Sequence, residues 1–216
     1  MVGLLAFVLA LTLSFSNARY QERRDGTMQE ANAIGTAWLR AGAVEHARAA
    51  DVARLLEAYT TVRRAFVSAP MDSAILAGIN ARPDALQAEI WGHVTALVRE
   101  QPSPVTVALM TAVNEVFDHA GLQRHAFAAG IPPTLSWLLI GMTVASMGAL
   151  GYQLGLRGLR LRTISLVLIL MWSVVMTTIL DLGSPRRGDV RTSTTPLDWT
   201  VAGVRGGVGV PPLPAR

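Results

Sequence analysis

The sequence contains neither cysteine nor lysine among its 216 residues. The lack of cysteine excludes disulfides, thiolate zinc sites and cysteine nucleophiles. All nineteen basic residues are arginine, and with fifteen acidic residues they leave a net charge of +4. Such a charge suits nucleic acid or anionic lipid, but no basic helix face or alternation of aromatic and basic residues favours nucleic acid. We therefore expect no nucleic-acid partner.

Catalytic signatures are missing as well. The sequence has no Walker motif, no G-x-S-x-G and no dinucleotide fingerprint, and no HExxH-type spacing connects its histidines. We expect no enzyme activity, no cofactor and no metal site. The scattered histidines are His46, His93, His119 and His125. Several isolated carboxylates are interpreted as solvated helix faces, among them Glu30, Glu57, Glu89 and Glu115.

Long uncharged segments are the most informative feature present. Residues 131–156 and 163–180 contain no charge, and a short arginine-containing link joins them. A bilayer's hydrocarbon core needs about 20 apolar residues of helix, so 131–182 is predicted to be a transmembrane helical hairpin. Residues 1–18 are also uncharged, and the alternatives there are a secretory signal peptide or a third membrane helix. The missing basic start of a signal peptide favours the helix.

The region between these segments, 19–130, shows helical periodicity without a membrane-length apolar run. Breaks are predicted near Gly42, at Pro70, at Arg82–Pro83 and at Pro102–Pro104. The apolar positions of its helices recur at three- and four-residue steps: Val52, Leu55, Leu56, Tyr59, Val62 and Phe66; Leu86, Ile90, Val94, Leu97 and Val98; Val107, Met110, Val113 and Phe117. The predicted fold is an all-α integral membrane protein, with membrane helices extending into a cytoplasmic helical bundle.

The remaining residues, 183–216, are assigned to an exit motif and a flexible tail rich in glycine and proline.

One polar face stands out in the last membrane segment. Ser173, Thr177 and Asp181 lie at i, i+4 and i+8, so they share a side of the helix. They are pore-lining candidates, because polar groups at membrane depth usually face a water-filled cavity. The alternative is that the hydroxyls bond to their own helix while Asp181 lies at the headgroup level.

Small residues follow one side of the first hairpin helix. They let membrane helices approach closely, so we predict that they pack against the partner helix or a neighbouring subunit; a backbone-lined path is the alternative. These residues are Gly141, Ala145, Gly148, Gly151 and Gly155. In the bundle, Asn114 and Asp118 form either a small polar site or a capping network.

Arginine positions favour one orientation. By the positive-inside rule, the bundle and tail are predicted to be cytoplasmic and the hairpin link to lie on the opposite side of the membrane in a multi-pass protein. The bundle side has Arg19, Arg23, Arg24, Arg124, Arg186, Arg187 and Arg191, and the link has Arg157, Arg160 and Arg162.

Several strings together resemble a known family. The most specific are EANAIGTAWLRA at 30–41 and the exit pattern Asp-x-x-x-Pro-Arg-x-Gly, formed here by Asp181, Pro185, Arg186 and Gly188. With residues 3–41, LLEAYTTVR at 55–63, Trp91, 114–124 and the hairpin, they resemble the bestrophin-like family of bacterial membrane proteins up to about Gly203. The resemblance implies an N-terminally short member, because the family has one more membrane helix upstream. It also implies a multi-pass protein of a bacterial inner membrane, so that the hairpin link would be periplasmic.

The resemblance also implies a function. Bestrophins are pentameric anion channels with four membrane helices per subunit and a cytoplasmic helical region. We therefore expect a homo-oligomeric ion channel, with anions as its small-ion partners and the lipid bilayer around it. The alternative is a non-conducting scaffold or accessory subunit that binds a partner through its bundle. Where the family's exit usually has an Asp-Arg pair, this sequence has Gly183-Ser184, which puts any gating role of that pair in doubt.

Overall fold

The computed structural model describes residues 2–70, 73–130, 132–156, 162–186 and 188–206. The regular secondary structure of this part is entirely helical, so the all-α prediction is confirmed. The helices are α1 (Val2–Gly42), α2 (Ala47–Ser68), α3 (Ser73–Glu100), α4 (Pro104–Ala128), α5 (Pro133–Leu156), α6 (Arg162–Gly183) and α7 (Thr195–Gly206). Residues 157–161 of the predicted hairpin link, Arg187 and the tail at 207–216 lie outside the described residues, and the last residue of the link, Arg162, is the first residue of α6.

The helices form two compact units. The first comprises Met1–Glu22 and Phe127–Arg191, and the second comprises Arg23–Ala126 and Thr192–Arg216. α1 contributes to both, because the sequence offers no helix-stopping signal before Gly42. The predicted limits of the bundle, 19 and 130, each lie four residues from the boundaries observed at 23 and 126.

The first unit has a small core. Leu9 of α1, Leu139 of α5 and Ile179 of α6 are buried together, and Val8, Trp172, Val175 and Met176 pack against them. The α6 members of this cluster recur at three- and four-residue steps, so they form one face of that helix. In α6 the window Leu166–Gly183 is long and apolar enough to cross a membrane, and only 11% of it is buried within the chain.

The second unit has a larger core around α2. Val52, Leu55, Leu56, Tyr59 and Phe66 are buried, as the periodicity predicts, while Val62 is half-buried. α3 contributes Ile90, Val94 and Leu97. The Phe117 ring of α4 lies 6.5 Å from the Tyr59 ring and 6.2 Å from the Trp91 ring, measured between centroids. Helix α4 is thereby joined to both α2 and α3.

Two local predictions are wrong. Val107 is 47% exposed, because it is six residues and about 240° of helical rotation from the buried Val113. The buried face of α4 instead includes Leu109, Val116 and Ala120. The predicted break at Arg82–Pro83 is absent, since α3 continues through Pro83. Proline removes one helical hydrogen bond, but Pro83 is itself buried and α3 packs along α2, which offsets that loss.

Within the segment assigned to the exit motif and flexible tail, residues 195–206 form the helix α7. Just before its start the Ser193 hydroxyl oxygen accepts the Thr195 N–H at 3.1 Å, one of the N–H groups that have no acceptor within the helix. Leu197 and Val204 are buried against the second unit. This hydrogen bond and the two buried apolar side chains stabilise the short helix against the bundle.

Candidate functional site

The hydroxyl face of α6, defined by Ser173 and Thr177, points away from the core of the first unit. Both side chains are exposed in the isolated chain. The Ser173 hydroxyl donates to the carbonyl oxygen of Ile169 at 2.9 Å, and the Thr177 hydroxyl donates to that of Ser173 at 2.8 Å. Each proton is therefore held by the helix itself, and each oxygen keeps a free lone pair as an acceptor.

Asp181 follows the same face in sequence, but its carboxylate serves the turn after α6. Asp181 Oδ2 accepts the backbone N–H groups of Asp189 at 3.1 Å and Val190 at 3.2 Å. The structure therefore brings Ser173 and Thr177 together on one exposed face and engages the third pore-lining candidate elsewhere.

The other exit-motif residues belong to the same turn, and Gly188 lies against the Asp181 carboxylate. Gly188 has a positive φ of 85°, a conformation that favours glycine. Arg186 is only 8% exposed, and its guanidinium lies 4.8 Å from the centroid of the Phe127 ring. A cation over an aromatic face is attracted by the electrons of the ring. Pro185 is half-buried in the same turn.

The small-residue face of α5 is also directed outward. A Cβ atom added at any of its four glycines would meet no atom within 4 Å. Leu139 and Ser146 occupy the opposite, buried side of the helix. In the described part of the chain these glycines thus have no helix against them, and a contact with another chain remains predicted. The four are Gly141, Gly148, Gly151 and Gly155.

A buried ion pair lies in the second unit, where the sequence predicted a solvated carboxylate. Glu30 of α1 is 0% exposed and accepts hydrogen bonds through both oxygens from Arg63 of α2, whose side chain is 1% exposed. The interpretation of Glu30 as part of a solvated face is therefore wrong, whereas Glu57, Glu89 and Glu115 are exposed. Burial acts to lower the pKa of Arg63, but the charge and hydrogen bonds of Glu30 offset this, and the pKa is raised.

A signal for this pair existed in the sequence. Arg63 follows Tyr59 by four residues and precedes Phe66 by three, so it belongs to the predicted apolar face of α2. A charged residue there requires a buried partner of opposite charge. Glu30 has the matching position on α1, four residues before the buried Ile34.

Tyr59 lies beside the ion pair. Burial raises the pKa of its hydroxyl to about 12, an effect that the charge of Arg63 partly opposes. The Gln87 side-chain amide donates to the Tyr59 oxygen at 2.8 Å. The buried polar cluster of Glu30, Arg63, Tyr59 and Gln87 thus connects α1, α2 and α3.

A second polar contact joins α1 to α4. The amide nitrogen of Gln123, which is fully buried, donates to the carbonyl oxygen of Arg23 at 2.9 Å and to the Thr27 hydroxyl oxygen at 2.5 Å. A Cβ atom at Gly26 would collide with the Gln123 side chain. Glycine at this position permits the close approach.

The remaining polar candidates are local. The Asn114 side chain donates to Asp118 at 3.0 Å on an exposed turn of α4. His46 caps α2 by accepting the Arg48 N–H at 3.2 Å, and His93 lies 3.8 Å from Asp51. Among the described residues, the histidines and carboxylates form no group that could hold a metal ion.

One cavity, of about 270 Å³, lies between α2 and α7. Its lining includes Arg54, Glu57 and Thr61 from α2, and Val201 and Arg205 from α7. Arg54 is already paired with a neighbouring aspartate, and Glu57 accepts a hydrogen bond from a tryptophan. Two of the three charged side chains that line the cavity, Arg54 and Glu57, thus already have a partner within the chain.

No family model, curated protein or solved structure matches this chain.

Proposed function

We propose that the chain is a bestrophin-like membrane protein whose first unit lies in lipid and assembles with further copies around an ion pathway. The main support is the surface of α5 and α6. Large apolar side chains are exposed along both helices, including Trp137 at 72%, Val144 at 68% and Met171 at 62%. So much contiguous apolar surface is costly in water and is typical of contact with lipid or protein.

The glycine face of α5 supports the assembly part of the proposal. Inside a bilayer the hydrophobic effect does not drive helices together, so close backbone approach at small residues is an important source of association. The four glycines have open space on their side of α5, which leaves room for a helix of a neighbouring copy. We therefore propose a homo-oligomer with α5 at the subunit contact.

The oligomer can be tested by enlarging one glycine. Gly151→Leu should reduce the oligomer fraction on size-exclusion chromatography in detergent, while leaving the folding of the single chain intact, because a Cβ atom at this position meets no atom of the described residues within 4 Å. Leu139→Ala should instead lower the stability of the single chain, since Leu139 belongs to the core, and should leave the contact at the glycines unchanged. An unchanged oligomer with Gly151→Leu would contradict a contact at this face.

The ion pathway is supported by the hydroxyl face of α6, with Ser173 and Thr177 exposed on the side away from the chain's own core. A polar lining at membrane depth is tolerated where it borders water or protein. The preference for anions rests on the resemblance. Purified full-length protein in liposomes should pass chloride and nitrate faster than sodium and potassium.

Thr177→Val should alter that flux, and Thr178→Val is its matched control. Both threonines are exposed on α6 and bond to their own helix, but one residue of rotation places them about 100° apart. Equal effects of the two variants on flux would show that the hydroxyl face does not line the pathway. Flux no greater than that of empty liposomes for all four ions would contradict the channel proposal.

The second candidate function is a non-conducting membrane scaffold. It is favoured by hydrogen bonds that polar groups on α6 make within the chain: the hydroxyl protons of Ser173 and Thr177 are bonded to the helix, and one oxygen of Asp181 accepts N–H groups in the exit turn. A stable oligomer without ion flux is the outcome expected of a scaffold.

The proposed orientation, with the bundle in the cytoplasm, has its own test. Reporters fused in the link at 157–162 and at Gly203 should report opposite sides of the membrane, the link being periplasmic. A cytoplasmic signal from the link would reverse the assignment.

A further inference from the structure

We propose that the turn after α6 is an exit latch, in which the Asp181 carboxylate fixes the backbone and thereby holds Arg186 against Phe127. The latch consists of Asp181, Arg186 and Gly188 together with the backbone N–H groups of Asp189 and Val190. This role does not depend on whether the protein conducts ions.

The first step is the carboxylate. One oxygen of Asp181 accepts two N–H groups that follow it by eight and nine residues, at 3.1 and 3.2 Å. Hydrogen bonds to an ionised acceptor are about twice as strong as neutral ones. The chain is thus fixed at both ends of the turn by a single side chain.

The second step is the glycine. Gly188 has a φ of 85°, which a residue with a Cβ atom adopts only with strain. A Cβ atom there would also collide with the Asp181 carboxylate. Gly188 is therefore needed both for the backbone conformation and for the space that the carboxylate fills.

The third step is the arginine. Arg186 lies within the closed turn, is 8% exposed, and stacks its guanidinium on Phe127. Phe127 lies in the last turn of α4 and is the residue at which the chain enters the first unit, and Arg186 precedes the end of that unit at Arg191 by five residues. The latch thus holds together two segments of the first unit, each next to a place where the chain passes to the second unit.

This arrangement changes what Asp181 is expected to do. As a free charge at the mouth of a pathway, Asp181 would act directly on ions, and the nearby Asp189 would act in a similar way. As the acceptor of the latch, it is a positioning residue that acts through the turn. Removing it should therefore resemble damage to Gly188, which has no charge, more than removal of the Asp189 carboxylate.

Hydrogen exchange of the full-length protein in detergent tests the latch. Asp181→Ala and Gly188→Ala should each speed exchange in a peptide spanning 189–190 by about tenfold or more, the size of effect expected when a charge-assisted hydrogen bond is lost. Asp189→Asn removes one negative charge from the same turn and keeps the backbone N–H groups that the Asp181 carboxylate accepts, so exchange there, corrected for the intrinsic rate of the new side chain, should stay as in the parent. Equal loosening by Asp189→Asn and Asp181→Ala would overturn the proposal.

The double variant makes the test independent of simple destabilisation. Once Asp181→Ala has removed the carboxylate, the methyl group of Gly188→Ala no longer collides with it. The increase in exchange rate of the double variant should therefore be smaller than the product of the increases in the two single variants. If Asp181→Ala does not fold, Asp181→Asn keeps the shape and should loosen the turn less. Full multiplicativity, or unchanged exchange in Gly188→Ala, would show that the residues do not act as one latch.

Discussion

The buried ion pair between Glu30 and Arg63 allows the most demanding test of the bundle. Both side chains are almost completely removed from solvent, at 0% and 1% exposure, and both carboxylate oxygens accept from the guanidinium. Truncating one partner leaves the other charge buried without compensation, which costs about 3–5 kcal/mol. Glu30→Ala and Arg63→Ala should each destabilise the second unit by this amount.

Thermal unfolding followed by tryptophan fluorescence measures the effect. In a chain of this length 1 kcal/mol corresponds to about 2–4 °C, so each single variant should lower the Tm by roughly 6–20 °C. The matched control is Arg54→Ala, which removes an exposed i,i+3 pair with Asp51. An exposed pair contributes only about 0.2–1 kcal/mol, so this variant should stay within about 4 °C of the parent.

A double variant distinguishes loss of the pair from loss of packing. Replacing both residues with methionine keeps much of the side-chain volume and removes both buried charges. Such replacements are often neutral or stabilising, so Glu30→Met/Arg63→Met should unfold at a higher temperature than either single variant. A double variant as unstable as the sum of the two, or single variants no worse than Arg54→Ala, would refute the reasoning.

Two further predictions concern the same unit. Because the pKa of Tyr59 is raised to about 12, this tyrosine loses its proton at a lower pH in the unfolded chain than in the folded one, so the free energy of unfolding should fall by about 2–3 kcal/mol between pH 10 and 12. In alkaline denaturation Tyr59→Phe should remove this dependence on pH, and Tyr152→Phe, at an exposed tyrosine, should leave it unchanged. Gly26→Ala should cost about 1–3 kcal/mol, because its methyl group collides with Gln123. In the same denaturation assay Gly121→Ala, in open space on α4, should stabilise by about 0.5–1 kcal/mol; a gain at both sites would contradict the close approach.

The position of several helix ends was predictable because local chemistry decides it. α2 ends at Ser68, shortly before Pro70, and α4 begins at Pro104, the first residue of the helix. Proline lacks an N–H and restricts the residue before it, so it fits a first turn and opposes an interior one. These effects require no knowledge of the partner elements.

The helix through Pro83 and the helix α7 could not be predicted from local chemistry, because packing against other helices stabilises them. α3 packs along α2 and Pro83 itself is buried, and this burial outweighs one missing hydrogen bond. α7 is short, and an isolated helix of twelve residues is marginal in water. Its contacts with the bundle, through Leu197 and Val204, supply stability that composition alone does not display.

In the candidate site, too, some features follow from the sequence and others only from the tertiary structure. The sequence by itself determined which residues share a helix face: Ser173 with Thr177, the glycines of α5, and Arg63 with the apolar residues of α2. Only the tertiary structure decided what each face meets. It placed Glu30 against Arg63 and turned Asp181 toward residues 189 and 190, because a buried charge is stabilised by whichever partner the fold brings within hydrogen-bonding distance, and sequence separation says little about which one that is.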